Sequence, residues 1–316
     1  MAEETSSSPG LLREIFLAGF MAGLPPENVA WAAARLSRAM EDVHLRTGEV
    51  LYRAGDATTG HYFVVSGEVK LEVEGAPPWL LGERSLVGTI DLTLDRRRAR
   101  TVIATRDTHL LSMGATDWLD MLEDNFELML RGVEGLAQGV HALRVGLGDF
   151  EEDHAGAPIA PVKLVPSGRL GLIESISLLW AVPLFAEAEV QALAQLAEVA
   201  REVDFAAGDL VSARGAPNDS LLVLVSGEVT ASRAGSAGTQ AFGPGMLVFG
   251  SLAASSQPLG YEAVAQTAAR ALRIPREDYF DAMEEHFALA RSAMKLLARE
   301  REVLVNEKER RAWARG

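Results

Sequence analysis

Short runs rich in Val, Leu, Phe and Tyr, each closed by Gly, Asp, Asn or Ser, fill two parts of the chain. Apolar residues at helical spacing lie on either side of both parts. The first part holds Gly48-Glu49, Gly55-Asp56 and Tyr62-Phe63-Val64-Val65-Ser66-Gly67-Glu68-Val69. The second holds Gly208-Asp209, Gly215 and Leu222-Val223-Leu224-Val225-Ser226-Gly227-Glu228-Val229. Glycines at 48, 55 and 67 and at 208, 215 and 227 keep spacings of 7 and 12 with a constant offset of 160. Such a repeat, with glycine where antiparallel strands reverse, predicts short strands and tight turns in two copies. Flanking helices are expected over Val29, Ala32, Leu36 and Met40, and over Phe185, Val190, Leu193, Leu196 and Val199. Two longer ones are expected from Asp117 to Val145 and from Arg276 to about Glu309. The predicted architecture is α+β: two β-jelly-roll barrels, each flanked by helices.

Composition agrees with two cores. The chain has 316 residues, 48% of them hydrophobic and 23% charged, which excludes a disordered tail. Gly146 to Ser167 carries Glu151-Glu152-Asp153 and three prolines, so the expected division is a first domain over 11–145, a linker over 146–177 and a second domain over 178–316. Against 44 acidic side chains stand 30 basic ones, a net charge of −14, which argues against broad nucleic-acid binding. Cysteine is absent, excluding disulfides, thiolate metal sites and a cysteine nucleophile. The polar, acidic start Met1-Ala2-Glu3-Glu4-Thr5 is unlike a signal peptide. The most apolar run, Leu178 to Phe185, is far too short for a bilayer. A cytoplasmic protein without membrane insertion is expected.

The glycine series continues in the first copy as Leu81-Gly82-Glu83-Arg84-Ser85-Leu86-Val87-Gly88-Thr89-Ile90, then Arg98-Ala99-Arg100-Thr101-Val102. In the second copy it continues as Phe242-Gly243-Pro244-Gly245-Met246-Leu247-Val248-Phe249-Gly250-Ser251. This series resembles the cyclic nucleotide-binding domain family, which includes catabolite activators and the tandem regulatory subunits of cyclic-AMP-dependent kinase. The resemblance implies barrels of cyclic nucleotide-binding type and a phosphate cassette that pairs an arginine with the cyclic phosphate and a glutamate with the ribose. It places the first cassette at Gly88, Thr89, Ile90, Arg98 and Ala99, with Thr89 where the family has glutamate. The family's own series at the arginine reads Arg-x-Ala-Thr-Val. In the second copy Ser251 stands at the glutamate position, and the arginine position falls near Leu259-Gly260 with no cation. The resemblance therefore implies two degenerate cassettes, the first retaining its arginine. Read without it, Arg96-Arg97-Arg98 with Arg100 is a solvated basic turn.

Other chemistry finds little footing. Some 42 residues follow Ile274 and read as helix, leaving no room for a helix-turn-helix reader, so specific DNA binding is not expected. The six histidines include no His-x-His pair, and no metal site is expected. His61 reads as an ordinary exposed or hydrogen-bonded residue. Neither a Gly-x-Ser-x-Gly elbow nor a phosphate loop occurs, so no catalytic residue and no enzyme activity are expected. The leading expectation is a regulatory adaptor or scaffold that acts through a protein partner. The alternative is a sensor of a cyclic nucleotide, cAMP or cGMP, or another small anion at Arg98. Met283, Phe287, Ala290, Met294 and Leu297, spaced 4, 3, 4 and 3, form a stripe that serves either a homodimer seam or packing on the chain's own barrel.

Overall fold

The computed structural model describes residues 36–147, 168–233, 238–249, 255 and 260–314. These form two compact units, one comprising the described residues up to Leu128 together with 309–314, the other running from Met129 to Lys308. Of the helix expected over Val29, Ala32, Leu36 and Met40, the first two residues lie outside the described residues, Leu36 is helical and Met40 instead begins a strand. All but the first two residues of Gly146 to Ser167 also lie outside the described residues.

In the first unit the strands are β1 (Met40–Leu45), β2 (Val50–Tyr52), β3 (Gly60–Ser66), β4 (Glu68–Val73), β5 (Ala76–Gly82), β6 (Leu86–Val87), β7 (Thr101–Ala104) and β8 (Thr108–Gly114). They form two antiparallel four-stranded sheets, ordered β1-β8-β3-β6 and β2-β7-β4-β5. The second unit repeats the plan with β9 (Arg201–Phe205), β10 (Leu210–Ser212), β11 (Ser220–Ser226), β12 (Val229–Arg233), β13 (Thr239–Phe242), β14 (Leu247–Val248), β15 (Tyr261–Ala265) and β16 (Ala269–Pro275). Its sheets run β14-β11-β16-β9 and β10-β15-β12-β13. Both units are jelly-roll barrels.

The shared Ser-Gly-Glu-Val sequence has a steric cause. Gly67 and Gly227 turn the chain between strands at φ 94° and 83°, and a Cβ on either would lie 2.5 Å from a carbonyl oxygen, that of Asp107 or Ala268. Only glycine accepts both the left-handed backbone and that approach.

Each barrel is followed by helices, and each predicted long helix proves to be two. A short α1 (Thr89–Thr93) follows β6, and α2 (Ala115–Asp124) and α3 (Phe126–Leu147) follow β8. Asn125 leaves helical geometry at φ −139° and its Oδ1 accepts the Leu128 N–H at 2.9 Å, which caps α3 and stops α2. The second unit has α4 (Leu172–Trp180), α5 (Val190–Val199), α6 (Arg276–Glu285) and α7 (Phe287–Trp313), the last two separated by His286 at φ −129°. Thus α4 begins inside the stretch expected as linker.

Met121 of α2 packs with Phe63, Leu111, Met113 and Met40 on the outer face of the β1-β8-β3-β6 sheet, and with Leu36. From Met129 onward α3 packs within the second unit, where Glu134 pairs with Arg276 at 3.4 Å and Arg144 with Glu300. In the C-terminal stripe Met283, Ala290, Met294 and Leu297 are buried within the chain, which leaves little of it for a partner helix. No helix among the described residues is long and apolar enough to cross a membrane.

Candidate functional site

The turn after β6 sets the geometry of the first barrel's candidate site. Gly88 ends the strand at φ 81° and caps α1. The chain then returns through Arg96-Arg97-Arg98 to β7. Arg96 Nε donates to Asp91 Oδ1 at 2.9 Å, tying the start of α1 to the returning loop. Arg97 is exposed and donates to the Gly55 carbonyl at 2.8 Å.

Arg98 turns inward and is 3% exposed. Its Nη1 donates to the Gly88 carbonyl at 3.1 Å and its Nη2 to the Gly60 carbonyl at 2.5 Å. The guanidinium carbon lies 4.1 Å from the Tyr52 ring centroid and 5.9 Å from that of Tyr62, a cation over aromatic faces. No carboxylate pairs with Arg98 among the described residues. Its Nε and the Thr89 hydroxyl are both buried without a hydrogen-bond partner. A fixed positive charge thus sits buried with its own Nε unused, and the hydroxyl of Thr89, the residue after Gly88, is unused as well.

Close packing extends to the backbone. A Cβ on Gly88 would lie 2.2 Å from Arg98 Nη1 and 3.2 Å from the Tyr52 hydroxyl. Burial raises the pKa of the Tyr52 phenol well above its ordinary value, with Arg98 partly opposing the shift, so Tyr52 stays neutral. Of the cassette residues expected from the sequence, Gly88 and Arg98 touch directly and Thr89 lies on the same turn. Ile90 and Ala99 are half-buried neighbours with no polar side chain to offer.

Two expectations are corrected here. The basic run is not a solvated turn, because Arg98 and Arg100 are both buried. Arg100 stacks on Trp79 at 4.1 Å and donates to the Leu71 and Pro77 carbonyls at 3.4 and 3.2 Å. Its arginine in a small residue's place was the available signal for a second buried cation. His61 is neither exposed nor hydrogen-bonded: it is 0% exposed, and both ring nitrogens lack partners. The ring packs edge-on against Trp118 of α2 at 4.6 Å. Burial, with Arg98 adding to it, pushes its pKa down to about 3.

The second barrel fills the corresponding place. Val87 pairs with Tyr62, and Val248 with Leu222, so the repeat offset has grown by one residue and Phe249 occupies the position of Gly88. Aligning the two copies by sequence had put Gly250 there instead. Phe249 adopts φ 58° and stacks on Tyr261 with centroids 5.4 Å apart, while Phe242 meets it edge-on at 5.7 Å. Tyr261 in turn precedes Glu262, which pairs with Ser232 as Thr101 pairs with Glu72, so it holds the place of Arg100. These rings and Leu224, Val229, Ala231 and Val248 make a continuous apolar core. Ser251 and Leu259, the expected cassette positions of this copy, lie outside the described residues.

The family model for the cyclic nucleotide-binding domain matches residues 42–125 and 202–286. No curated protein sequence matches the chain. Among solved structures, the chain is similar to the regulatory domain of Toxoplasma gondii PKA crystallised with cAMP, at 14% identity and TM-score 0.33, covering 87% of this chain and 92% of that one. It is similar to the regulatory subunit of a cAMP-independent protein kinase A from Trypanosoma brucei, at 16% identity and TM-score 0.33, covering 85% and 84%. A third is the corresponding subunit from Trypanosoma cruzi bound to guanosine, at 15% identity and TM-score 0.33, covering 88% and 86%. With the family model falling on both barrels, the chain belongs to the cyclic nucleotide-binding domain family and carries two copies of the domain.

Proposed function

We propose that the chain is a non-catalytic regulatory protein whose first barrel takes a small phosphate-bearing anion and whose second barrel takes none. The observation that carries this reading is Arg98, a buried guanidinium without a carboxylate partner among the described residues. Burying an uncompensated charge is costly, and an anion received by the arginine fork would supply the missing partner. The orphan Nε and the Thr89 hydroxyl give that anion two further contacts. Because Thr89 replaces a glutamate, one charged hydrogen bond to a ribose is missing, worth about 1.5–3 kcal/mol, or roughly ten- to a hundredfold in affinity. Cyclic nucleotides are therefore weak ligands of this barrel, with the phosphate as the feature recognised.

A route to a response lies within the same unit. Arg98 is held by the Gly60 carbonyl, and the next residue, His61, packs on Trp118 of α2. An anion that draws Arg98 away from Gly60 removes a restraint one residue from that contact and biases the seating of α2.

The test is calorimetric titration with cAMP, cGMP and inorganic phosphate on wild type, Arg98→Lys and Thr89→Glu. The expected result is one site per chain, weakened at least about tenfold by Arg98→Lys and tightened for the cyclic nucleotides by Thr89→Glu. Absence of binding at millimolar ligand in both wild type and Thr89→Glu overturns the sensor. An adaptor acting through a protein partner is then the reading that stands, and the aromatic filling of the second barrel favours it.

A further inference from the structure

The outer face of the first barrel carries a second group of polar side chains that the nucleotide fold does not use. Strands β1 and β8 run antiparallel with Met40 opposite Met113, Asp42 opposite Leu111 and His44 opposite His109. Met40, Leu111 and Met113 belong to the core under α2, whereas Asp42 and His44 are exposed and His109 is half-buried. Strand alternation puts Asp42 and His44 on one face, and the cross-strand pairing sets His109 beside them. His109 Nε2 lies 2.8 Å from Asp42 Oδ1. The His44 and His109 rings stack with centroids 4.4 Å apart and 18° between planes. One carboxylate oxygen and one nitrogen from each ring lie within 4.8 Å of one another.

We propose that Asp42, His44 and His109 form a site for a divalent transition-metal ion, zinc by preference, that clips edge strand β1 to β8. Two imidazoles and one carboxylate are the donors that suit Zn2+, Co2+, Ni2+ and Cu2+, and they are poor donors for Mg2+ or Ca2+. Three protein ligands leave a fourth position for water. Ligands at about 2.0–2.2 Å from a tetrahedral ion stand roughly 3.3 Å apart, so the donors need only close in by side-chain rotation while the paired strands hold the backbone. The metal takes its place between His109 Nε2 and Asp42 Oδ1, where the two side chains already meet. Since β8 runs through Gly114 directly into α2, occupancy stiffens the strand that feeds that helix. Sequence spacing points to no metal site because His44 and His109 stand 65 residues apart; strand pairing alone brings them together. The proposal is independent of the reading of Arg98.

The test uses the full chain without an affinity tag. Zn2+ is titrated by calorimetry and Co2+ by visible absorption, against His44→Ala and His109→Ala, with Mg2+ as control. The expected result is one Zn2+ per chain, no Mg2+ binding, and a loss of affinity of at least about a hundredfold in each variant. The Co2+ d–d bands disappear in both variants, and Zn2+ raises the melting temperature of wild type only. Far-UV dichroism verifies that the variants fold, as substitutions on this open face should allow. Two results overturn the site: no saturable Zn2+ binding by wild type at millimolar metal, or equal binding by wild type and both variants. The second would move the ion to another group, such as His286 beside Gln195.

Discussion

The two barrels share strand order, turn glycines and a carboxylate that braces the same turn, yet their interiors are chemically opposed. The first holds Arg98 over Tyr52 and Arg100 over Trp79. The second holds Phe249 against Tyr261 and Phe242 at the corresponding depth. One residue decides much of this. Where the first barrel has Gly88, whose missing side chain makes room for a guanidinium, the second has Phe249, whose ring fills the space. A jelly roll of this kind tolerates either interior because the turns that define it lie elsewhere, at Gly67 and Gly227.

The contrast can be broken most forcefully from the second side. Phe249→Ala removes a buried ring and leaves a cavity, so it should cost about 3–5 kcal/mol, read as a lower denaturant midpoint for the second unit. Gly88→Ala attacks the first side. It combines a left-handed backbone with a Cβ that meets Arg98, and should cost about 3 kcal/mol while abolishing phosphate binding in the same preparation.

A third prediction concerns pH. His61 has a pKa pushed down from 6.5 to about 3, so below pH 6.5 the unfolded chain takes up a proton that the native ring refuses. Stability linked to His61 is complete above pH 6.5 and is lost as pH falls toward 3. His61→Phe removes this proton along with two unpartnered nitrogens. Between pH 7 and pH 5 the wild type should lose about 2 kcal/mol more than the variant, measured by urea unfolding at both pH values.

The smallest effect tests sameness rather than difference. Glu49 Oε2 accepts the Arg46 N–H at 2.7 Å, and Asp209 Oδ2 accepts the Ala206 N–H at 2.7 Å. Alanine at either position should cost about 0.5–1 kcal/mol, and the two costs should agree. A clear disparity would show that the scaffolds diverge beyond their interiors.

The barrels and their repeat were legible in the sequence because glycine with positive φ is demanded locally, by turns that recur at fixed spacing. Arg98 was singled out by its distance from Gly88, and the structure brings the two into contact. Burial was not legible. A run such as Arg96-Arg97-Arg98 contains one residue pointing to solvent and one pointing to the core, and only the return path of the chain sorts them. His61 was misjudged because its neighbour, Trp118, arrives from a helix 57 residues later. The place of Phe249 was misread because the offset between copies slips by one residue before β14, and an alignment of glycines cannot see strand register. Asn125 and His286 broke helices that looked continuous, since their apolar periodicity resumes in phase after the break.

Phe249 and its ring partners also give the molecule an internal standard. A cavity filled by covalently attached side chains is saturated at every concentration, so mass action cannot alter its stability. In the first barrel the Arg98 guanidinium takes that space, and it carries a charge that an anion can meet. In a heating experiment a phosphate-bearing solute that enters at Arg98 would lift one unfolding transition with each increment of concentration, while the other stayed fixed. The displacement between the two curves would then read ligand affinity from a single sample, with the filled barrel serving as its own thermometer.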